Sequence, residues 1–288
     1  MIAAVLMFDS KFSIEGWLCY QSIRQYAPAR NIYVFCLDER AYWEASFWRH
    51  KDGNLIAVRL YELENHYPAL MSCRATRAWP AYTQTCKVFL PSLVMDVYKE
   101  DSVFYVDSDV LFWSDPEQIN TTLGDASFMA ASREQNPRPP QGAFNGGFFA
   151  CKNDQRAAVF LTWWLERCVD WCHWEAGPGG RFTEEGYLNI IEDEPDRFDG
   201  VVVCPHPGIN LAWWNVHKHE LKLKENGRVS VDNVELVNFH YQDLRPQEDL
   251  FDCRSSDFET HHIYQEYQAQ YDAFRVTFRD TLILGRRW

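Results

Sequence analysis

The chain has 288 residues, 47% of them hydrophobic, which is enough to bury a full core in one large domain, or in a domain with an appendage, and excludes a disordered chain. Asp and Glu outnumber Lys and Arg by 41 to 28, for a net charge of −13. That balance excludes a nucleic-acid binder, whose phosphate contacts need a clustered basic surface, but admits a nucleotide held through a divalent cation that brings its own positive charge.

Residues 2–8 (Ile-Ala-Ala-Val-Leu-Met-Phe) predict a buried strand that runs into polar Asp9, Ser10 and Lys11 with no basic leader before it, so no signal peptide is expected. Ile14, Trp17, Leu18 and Ile23 then recur at helical spacing up to Pro28, and residues 32–37 form a second strand. The opening is therefore a βαβ unit. It places Asp9 and Ser10 at the carboxyl end of the first strand, where open α/β sheets put their ligand crevice. Residues 55–60 give a third strand. Over 74–98, Trp79, Tyr82, Cys86, Phe89, Leu93 and Val97 repeat at intervals of three and four, as an amphipathic helix does, with Pro80 and Pro91 marking kinks or a break. Residues 103–106 are continuously apolar and rich in β-formers, the mark of a central strand, and Asp107-Ser108-Asp109 ends it.

Residues 126–131 and 148–151 read as further strands, separated by a Pro-rich loop over 134–143. A helix follows from Asp154 as N-cap through Phe160, Trp164, Cys168 and Trp171. The Gly-rich stretch 176–181 is either a plain connection or a phosphate cradle, although it follows a helix rather than a strand. A short helix over 183–191, short strands over 201–204 and 234–239, and a tail with Tyr264, Tyr267, Tyr271, Phe274, Phe278 and Leu282 at helical spacing complete the chain. The tail helix needs a partner surface, so the division is a domain over 1–249 and a C-terminal helical extension over 250–288.

The nine cysteines are odd in number and scattered through apolar runs, as reduced core thiols of a cytoplasmic protein would be. Cys168 and Cys172 stand near His173 but lack a second ligand pair at zinc-site spacing, which favours core cysteines over a metal. No apolar run approaches the ~20 residues of a membrane span, which leaves peripheral membrane contact as the closest approach to a bilayer. The 12 Trp fit either an aromatic core or platforms for sugar rings.

Two aspartates one residue apart at a strand end point the same way, towards the crevice. Mg²⁺ or Mn²⁺ is held by one or two carboxylates plus substrate phosphates, so this placement suits a nucleotide-diphosphate ligand; simple capping of the strand is the alternative.

Several blocks in order resemble the GT-A glycosyltransferases, in particular the glycogenin-like and lipopolysaccharide galactosyltransferase-like group. Phe104-Tyr-Val-Asp-Ser-Asp-Val-Leu-Phe112 with Asp115-Pro116 is similar to the group's metal-binding segment. Phe144-Asn-Gly-Gly-Phe-Phe-Ala150 is similar to its Asn-Ser-Gly segment, and Thr183-Glu-Glu-Gly-Tyr-Leu-Asn189 to its Asp-Gln-Asp-x-Leu-Asn helix. Pro207-Gly-Ile-Asn210 and Asn238-Phe-His-Tyr241 resemble the later Tyr-Asn and His-Tyr segments, and Phe8-Asp-Ser-Lys-Phe12 stands where the group contacts nucleobase and ribose.

The resemblance covers roughly residues 1–246 and implies an α/β GT-A fold: a mixed, mostly parallel sheet flanked by helices, with 1–249 as the catalytic domain. It implies that Asp107, Asp109 and His240 bind Mn²⁺ (or Mg²⁺). Asp9, Ser10, Phe12, Lys87, Ser108, Gly146 and Arg245 would bind the nucleotide-sugar donor, a UDP-sugar. Glu184, Glu185 and Asn145 would form the catalytic side next to the transferred sugar, and the acceptor would be a glycan, a lipid-linked sugar or a protein.

Residue chemistry supplies an alternative for most of these. The carboxylates of Glu184 and Glu185 also suit a helix N-terminus, Asn-Gly-Gly suits a hairpin turn, Lys87 an exposed helix face, and Trp213 and Trp214 a core as well as an acceptor platform. The chain departs from the group where Glu185 replaces a glutamine, which bears on a retaining outcome, and where Arg245-Pro246 arrives earlier than the group's Lys-Pro. Two rivals follow: a non-catalytic carbohydrate-binding protein on the same fold, and an aspartate-nucleophile phosphohydrolase. The second class puts its Asp-x-Asp near the N-terminus with a threonine after it, where Val110 and Leu111 follow here.

Overall fold

The computed structural model describes residues 1–175, 177, 181–242 and 258–285, with backbone alone for 258–261 and 278–285. The opening βαβ unit consists of β1 (Ala3–Phe8), α1 (Ser13–Tyr26) and β2 (Ile32–Cys36), and β1 runs parallel to β2 with Phe8 opposite Cys36. Next come α2 (Glu39–Arg49) and β3 (Leu55–Arg59). No apolar periodicity announces α2, because it buries only Ala41, Glu44 and Ala45. Its start is fixed instead by the Asp38 side chain, which accepts from the Ala41 amide as an N-cap.

α3 (Leu60–His66) and α4 (Ala69–Thr76) precede α5 (Trp79–Lys87) and α6 (Leu90–Tyr98). The helix expected over 74–98 is thus divided. Pro80 and Pro91 each stand in a first turn, where the missing N–H removes no helical hydrogen bond, so they start helices rather than kink one. β4 (Ser102–Val106), β5 (Val110–Phe112), α7 (Glu117–Leu123), β6 (Phe128–Ser132) and β7 (Phe144–Lys152) follow. β7 begins upstream of the expected strand, so Asn145-Gly146-Gly147 is part of a strand and not a hairpin turn.

α8 (Gln155–Asp170) starts at Asp154, whose side chain caps the Ala157 amide at 2.9 Å. The short helix expected over 183–191 is two single turns, α9 (Glu184–Tyr187) and α10 (Ile190–Asp193). The remaining elements are β8 (Val201–Val203), β9 (Leu211–Ala212), β10 (Leu221–Leu223), β11 (Val229–Val231), β12 (Val234–Glu235), β13 (Asn238–His240) and α11 (Phe258–Gly285).

The central sheet has the order β3-β2-β1-β4-β7-β6-β8, antiparallel only where β7 pairs with β4 and β6. Successive residues of β1 serve opposite faces: Ala4, Leu6 and Phe8 enter the core shared with α1, while Ala3, Val5 and Met7 enter the core shared with α5, α6 and α8. A strand covered on both sides has no polar face, which is why β1 and β4 read as continuous apolar runs. Ile263, Tyr264, Tyr267, Tyr271 and Phe274 of α11 join the α1 core, with Tyr267 stacked on Tyr241 at 4.0 Å. Among the described residues no helix is long and apolar enough to cross a membrane.

A second, three-stranded sheet, β5-β13-β9, abuts the first. The chain passes from one sheet to the other at residues 107–109, between β4 and β5, and β13 pairs with β5 so that His240 faces Val110.

Candidate active site

The passage between the sheets brings Asp107, Asp109 and His240 together, with one potential ligand atom of each within 4.8 Å of the others. That span is close to the ~4 Å separating ligands on opposite sides of an ion held by bonds of about 2.1 Å. Backbone pairing sets the positions: the Asp107 amide donates to the Gly147 carbonyl at 3.0 Å, and the Tyr241 amide to the Asp109 carbonyl at 2.8 Å. His240 Nε2 is 3.1 Å from Asp109 Oδ1, and its ring is only 1% exposed. Burial works against ionisation of Asp109, but the adjacent His240 and the backbone hold its carboxyl below the usual range. The Tyr105 hydroxyl, kept protonated by burial and by Asp107, donates to Asp107 Oδ1 at 2.6 Å.

Two adjoining cavities meet at these aspartates. One, of about 280 Å³, is lined by Phe8, Asp9, Phe12, Trp79, Tyr105 and Ser108 among others. Phe12 and Trp79 remain 41% and 36% exposed, and Trp79 Nε1 donates to Asp9 Oδ2 at 3.2 Å, which fixes that carboxylate at the cavity wall. The other cavity, of about 340 Å³, is lined by Arg133, Asn145, Trp174, Thr183, Glu184 and Glu185 together with Asp107, Asp109 and His240.

Charges in the second cavity are paired in a fixed pattern. Lys87, only 2% exposed, donates to Glu184 Oε1 at 3.0 Å and to the Gly146 carbonyl at 3.2 Å, and lies 3.1 Å from Asp107 Oδ1. Burial opposes its charge, but the two carboxylates more than offset that and raise its pKa, so it stays protonated. Burial pushes Glu184 up to about 7 despite Lys87, with Glu185 adding to the shift. Arg133 Nη2 meets Glu185 Oε2 at 2.9 Å, and the Gly146 amide donates to the same oxygen at 3.1 Å. Gly146 has room for no side chain, since a Cβ would run into Glu184.

Two buried oxygens in this cavity, Glu184 Oε2 and Thr183 Oγ1, have no hydrogen-bond partner among the described residues.

The expected residues are therefore placed unevenly. Asp107, Asp109, His240, Asn145, Glu184, Glu185, Lys87, Asp9, Phe12 and Ser108 line the two cavities. Gly146 stands directly behind them. Ser10 turns away, donating through both its amide and its hydroxyl to Asp38 Oδ2, and Arg245 lies outside the described residues. Lys87 is a buried counter-charge, not an exposed helix lysine. Trp214 packs edge-on against His240 in the core, at 5.3 Å.

Three lining residues escape the sequence reading: Arg133, Trp79 as a cavity wall, and Trp174. Arg133 follows β6 with no motif around it, and Trp79 is indistinguishable from the other aromatics of its helix. Cys168 and Cys172 are buried free thiols, and the only group of potential metal ligands among the described residues is the Asp-Asp-His trio.

No protein-family model matches the chain. It is 28% identical over 239 residues to YfnF of Bacillus subtilis (strain 168), an uncharacterized protein, covering 78% of this chain and 76% of that one. Among solved structures it is similar to the galactosyltransferase LgtC in complex with donor and acceptor sugar analogs, with a TM-score of 0.58, 16% identity and coverage of 94% and 96% of the two chains. The glycosyltransferase GlyE of Streptococcus pneumoniae TIGR4 gives a TM-score of 0.58 at 15% identity, covering 97% of this chain and 64% of that one. The fold is that of the GT-A glycosyltransferases.

Proposed function

We propose that this protein transfers a sugar from a nucleotide-diphosphate donor, a UDP-sugar, to an acceptor hydroxyl with the help of Mn²⁺ or Mg²⁺, retaining the anomeric configuration. The observation that carries the reading is a mismatch of charge. Asp9, Glu15, Asp107, Asp109, Glu184 and Glu185 line the paired cavities against Lys87 and Arg133, and both cations are already engaged, Lys87 by Asp107 and Glu184 and Arg133 by Glu185. A diphosphate enters such a crevice only with a divalent cation, and the Asp107-Asp109-His240 trio has the oxygen-rich, one-nitrogen donor set that suits one.

A cation bound there would neutralise the two aspartates and draw charge from the departing diphosphate. The chain's own residues do the rest. Trp79 and Phe12 offer faces on which a nucleobase can stack, and Asp9 accepts a hydrogen bond from the base or ribose. Glu184 and Glu185, at the wall of the second cavity, hydrogen-bond hydroxyls of the transferred sugar, which orients its anomeric carbon towards the acceptor. The acceptor oxygen forms the new bond as the bond to the diphosphate breaks, the electron pair leaves with the diphosphate, and the acceptor's proton follows to a phosphate oxygen. Arg245 would join the phosphates from its place in the chain. The acceptor is a glycan, a lipid-linked sugar or a protein, and the cysteines among the described residues, all free thiols, support a reducing, cytoplasmic setting.

The test is a thermal-shift panel of nucleotides and nucleotide-sugars with and without Mn²⁺, because ligands that bind the native state raise its stability by mass action. Mn²⁺-dependent stabilisation by one nucleotide, lost in D109A, is the expected result. Stabilisation that ignores Mn²⁺ or survives D109A would overturn the reading.

A further inference from the structure

The ring of His240 is flanked by two oxygens: Asp109 Oδ1 lies 3.1 Å from Nε2, and Asn210 Oδ1 lies 3.2 Å from Nδ1. An imidazole that binds a metal through one nitrogen must carry its hydrogen on the other. Which nitrogen carries it here follows from a chain of amides that ends on the backbone.

The Gly147 amide donates to Asn145 Oδ1 at 3.0 Å. A backbone N–H can only donate, so the Asn145 side chain is fixed with its oxygen towards Gly147. That same oxygen faces the Asn210 side chain, which must therefore present its NH₂, at 3.2 Å. Asn210 then has only its oxygen left for His240, so a hydrogen sits on Nδ1 and Nε2 is left as the nitrogen that can offer a metal its lone pair. The chain is rigid at each step. Asn145 is 3% exposed and Asn210 fully buried, and the Asn210 amide is held by Asn238 Oδ1. A Cβ at Gly147 would collide with both His240 and Asn145 Oδ1, so only glycine lets the strand lie against the ring.

We infer that Asn145 and Asn210 are positioning residues that set the tautomer of His240, turning its Nε2 into a metal ligand, with the orientation ultimately dictated by the Gly147 amide. The inference rests on the metal site proposed above. It gives Asn145 a task different from contact with the donor sugar, since both ends of its side chain are engaged, Nδ2 donating to Gln242 Oε1 at 3.4 Å.

Two measurements test it on the full chain, neither of which needs the sugar substrate. In ¹⁵N-histidine-labelled protein with diamagnetic Mg²⁺ bound, His240 should show a protonated Nδ1 and an unprotonated Nε2. N210A should shift the population towards protonated Nε2, because Asp109 Oδ1 is then the better acceptor. Mn²⁺ affinity, read by electron paramagnetic resonance of the free ion, should fall about 10- to 100-fold in N210A and N145A, the usual effect of losing a group that orients a ligand.

N145D keeps an oxygen for both Gly147 and Asn210 and should bind Mn²⁺ at least as tightly as the wild type, which guards against reading a folding defect as a tautomer effect. An unprotonated Nδ1 in the Mg²⁺-bound wild type, or Mn²⁺ affinity in both alanine variants equal to the wild type while D109A loses it, overturns the inference alone. If D109A also binds Mn²⁺ undiminished, the metal site falls and the inference with it.

Discussion

The two cavities that meet at Asp107 and Asp109 solve different problems with different residues. Beyond the shared aspartates, the Trp79 side is walled by aromatic rings and offers one carboxylate, Asp9, whereas the Glu184 side is crowded with buried charges, each cation paired with at least one carboxylate. Rings offer area and stacking and cost little to leave partly exposed. Buried charges are tolerated only in pairs, so they tie the stability of the protein to the integrity of the site. Altering the charged side should therefore change folding and its pH dependence, and altering the aromatic side should change ligand affinity alone.

The sharpest way to break this contrast is R133M. It leaves Glu185 buried with only the Gly146 amide, and should cost about 3–5 kcal/mol in urea denaturation of the metal-free protein. The double variant R133M/E185Q should recover most of that loss; a cost below about 1 kcal/mol would show that the pair does not anchor Glu185.

Next in size is the pH dependence carried by Glu184. Its folded pKa of about 7 lies above the ordinary 4.5, so its stabilising share is fully present below 4.5 and is lost as pH rises through 7. The interval corresponds to on the order of 3 kcal/mol between pH 4 and pH 8 in metal-free protein. E184Q should flatten that part of the curve, and an unchanged slope would show that Glu184 titrates elsewhere.

The smallest effect on folding belongs to W79A, at no more than about 1 kcal/mol, yet it removes a ring face worth about 1–3 kcal/mol of stacking. Isothermal titration should show nucleotide affinity in the presence of Mn²⁺ weakened roughly ten-fold. Equal losses of stability in W79A and R133M would erase the distinction between the two sides.

Much of this architecture was legible in the sequence, for reasons that differ by segment. β1, β2 and β4 are covered on both faces and so announce themselves as unbroken apolar runs, and Asp107 and Asp109 stand out by ending one of them. Asp154 was readable as a cap because capping is local chemistry. What stayed hidden depends on contacts between distant parts of the chain. α2 buries too few apolar residues to show a period, β5 and β9 are too short to show one, and Arg133 acquires its meaning only from Glu185, far along the sequence. Asn210 was noticed as part of a block, but its bond to His240 is a property of β13 lying beside the residues that follow Ile209.

The passage from β4 to β5 has one more consequence. Asp107 is anchored to β7 of the large sheet and Asp109 to β13 of the small one, so an ion between them would act as a rivet across a seam. Tyr241, next to His240, links that seam to the tail: its hydroxyl accepts from Trp113 and donates to the Ile263 carbonyl of the tail helix. Filling the site should therefore tighten the grip of the tail on the body, and hydrogen exchange at the amides of residues 263–274 should slow when Mn²⁺ is added.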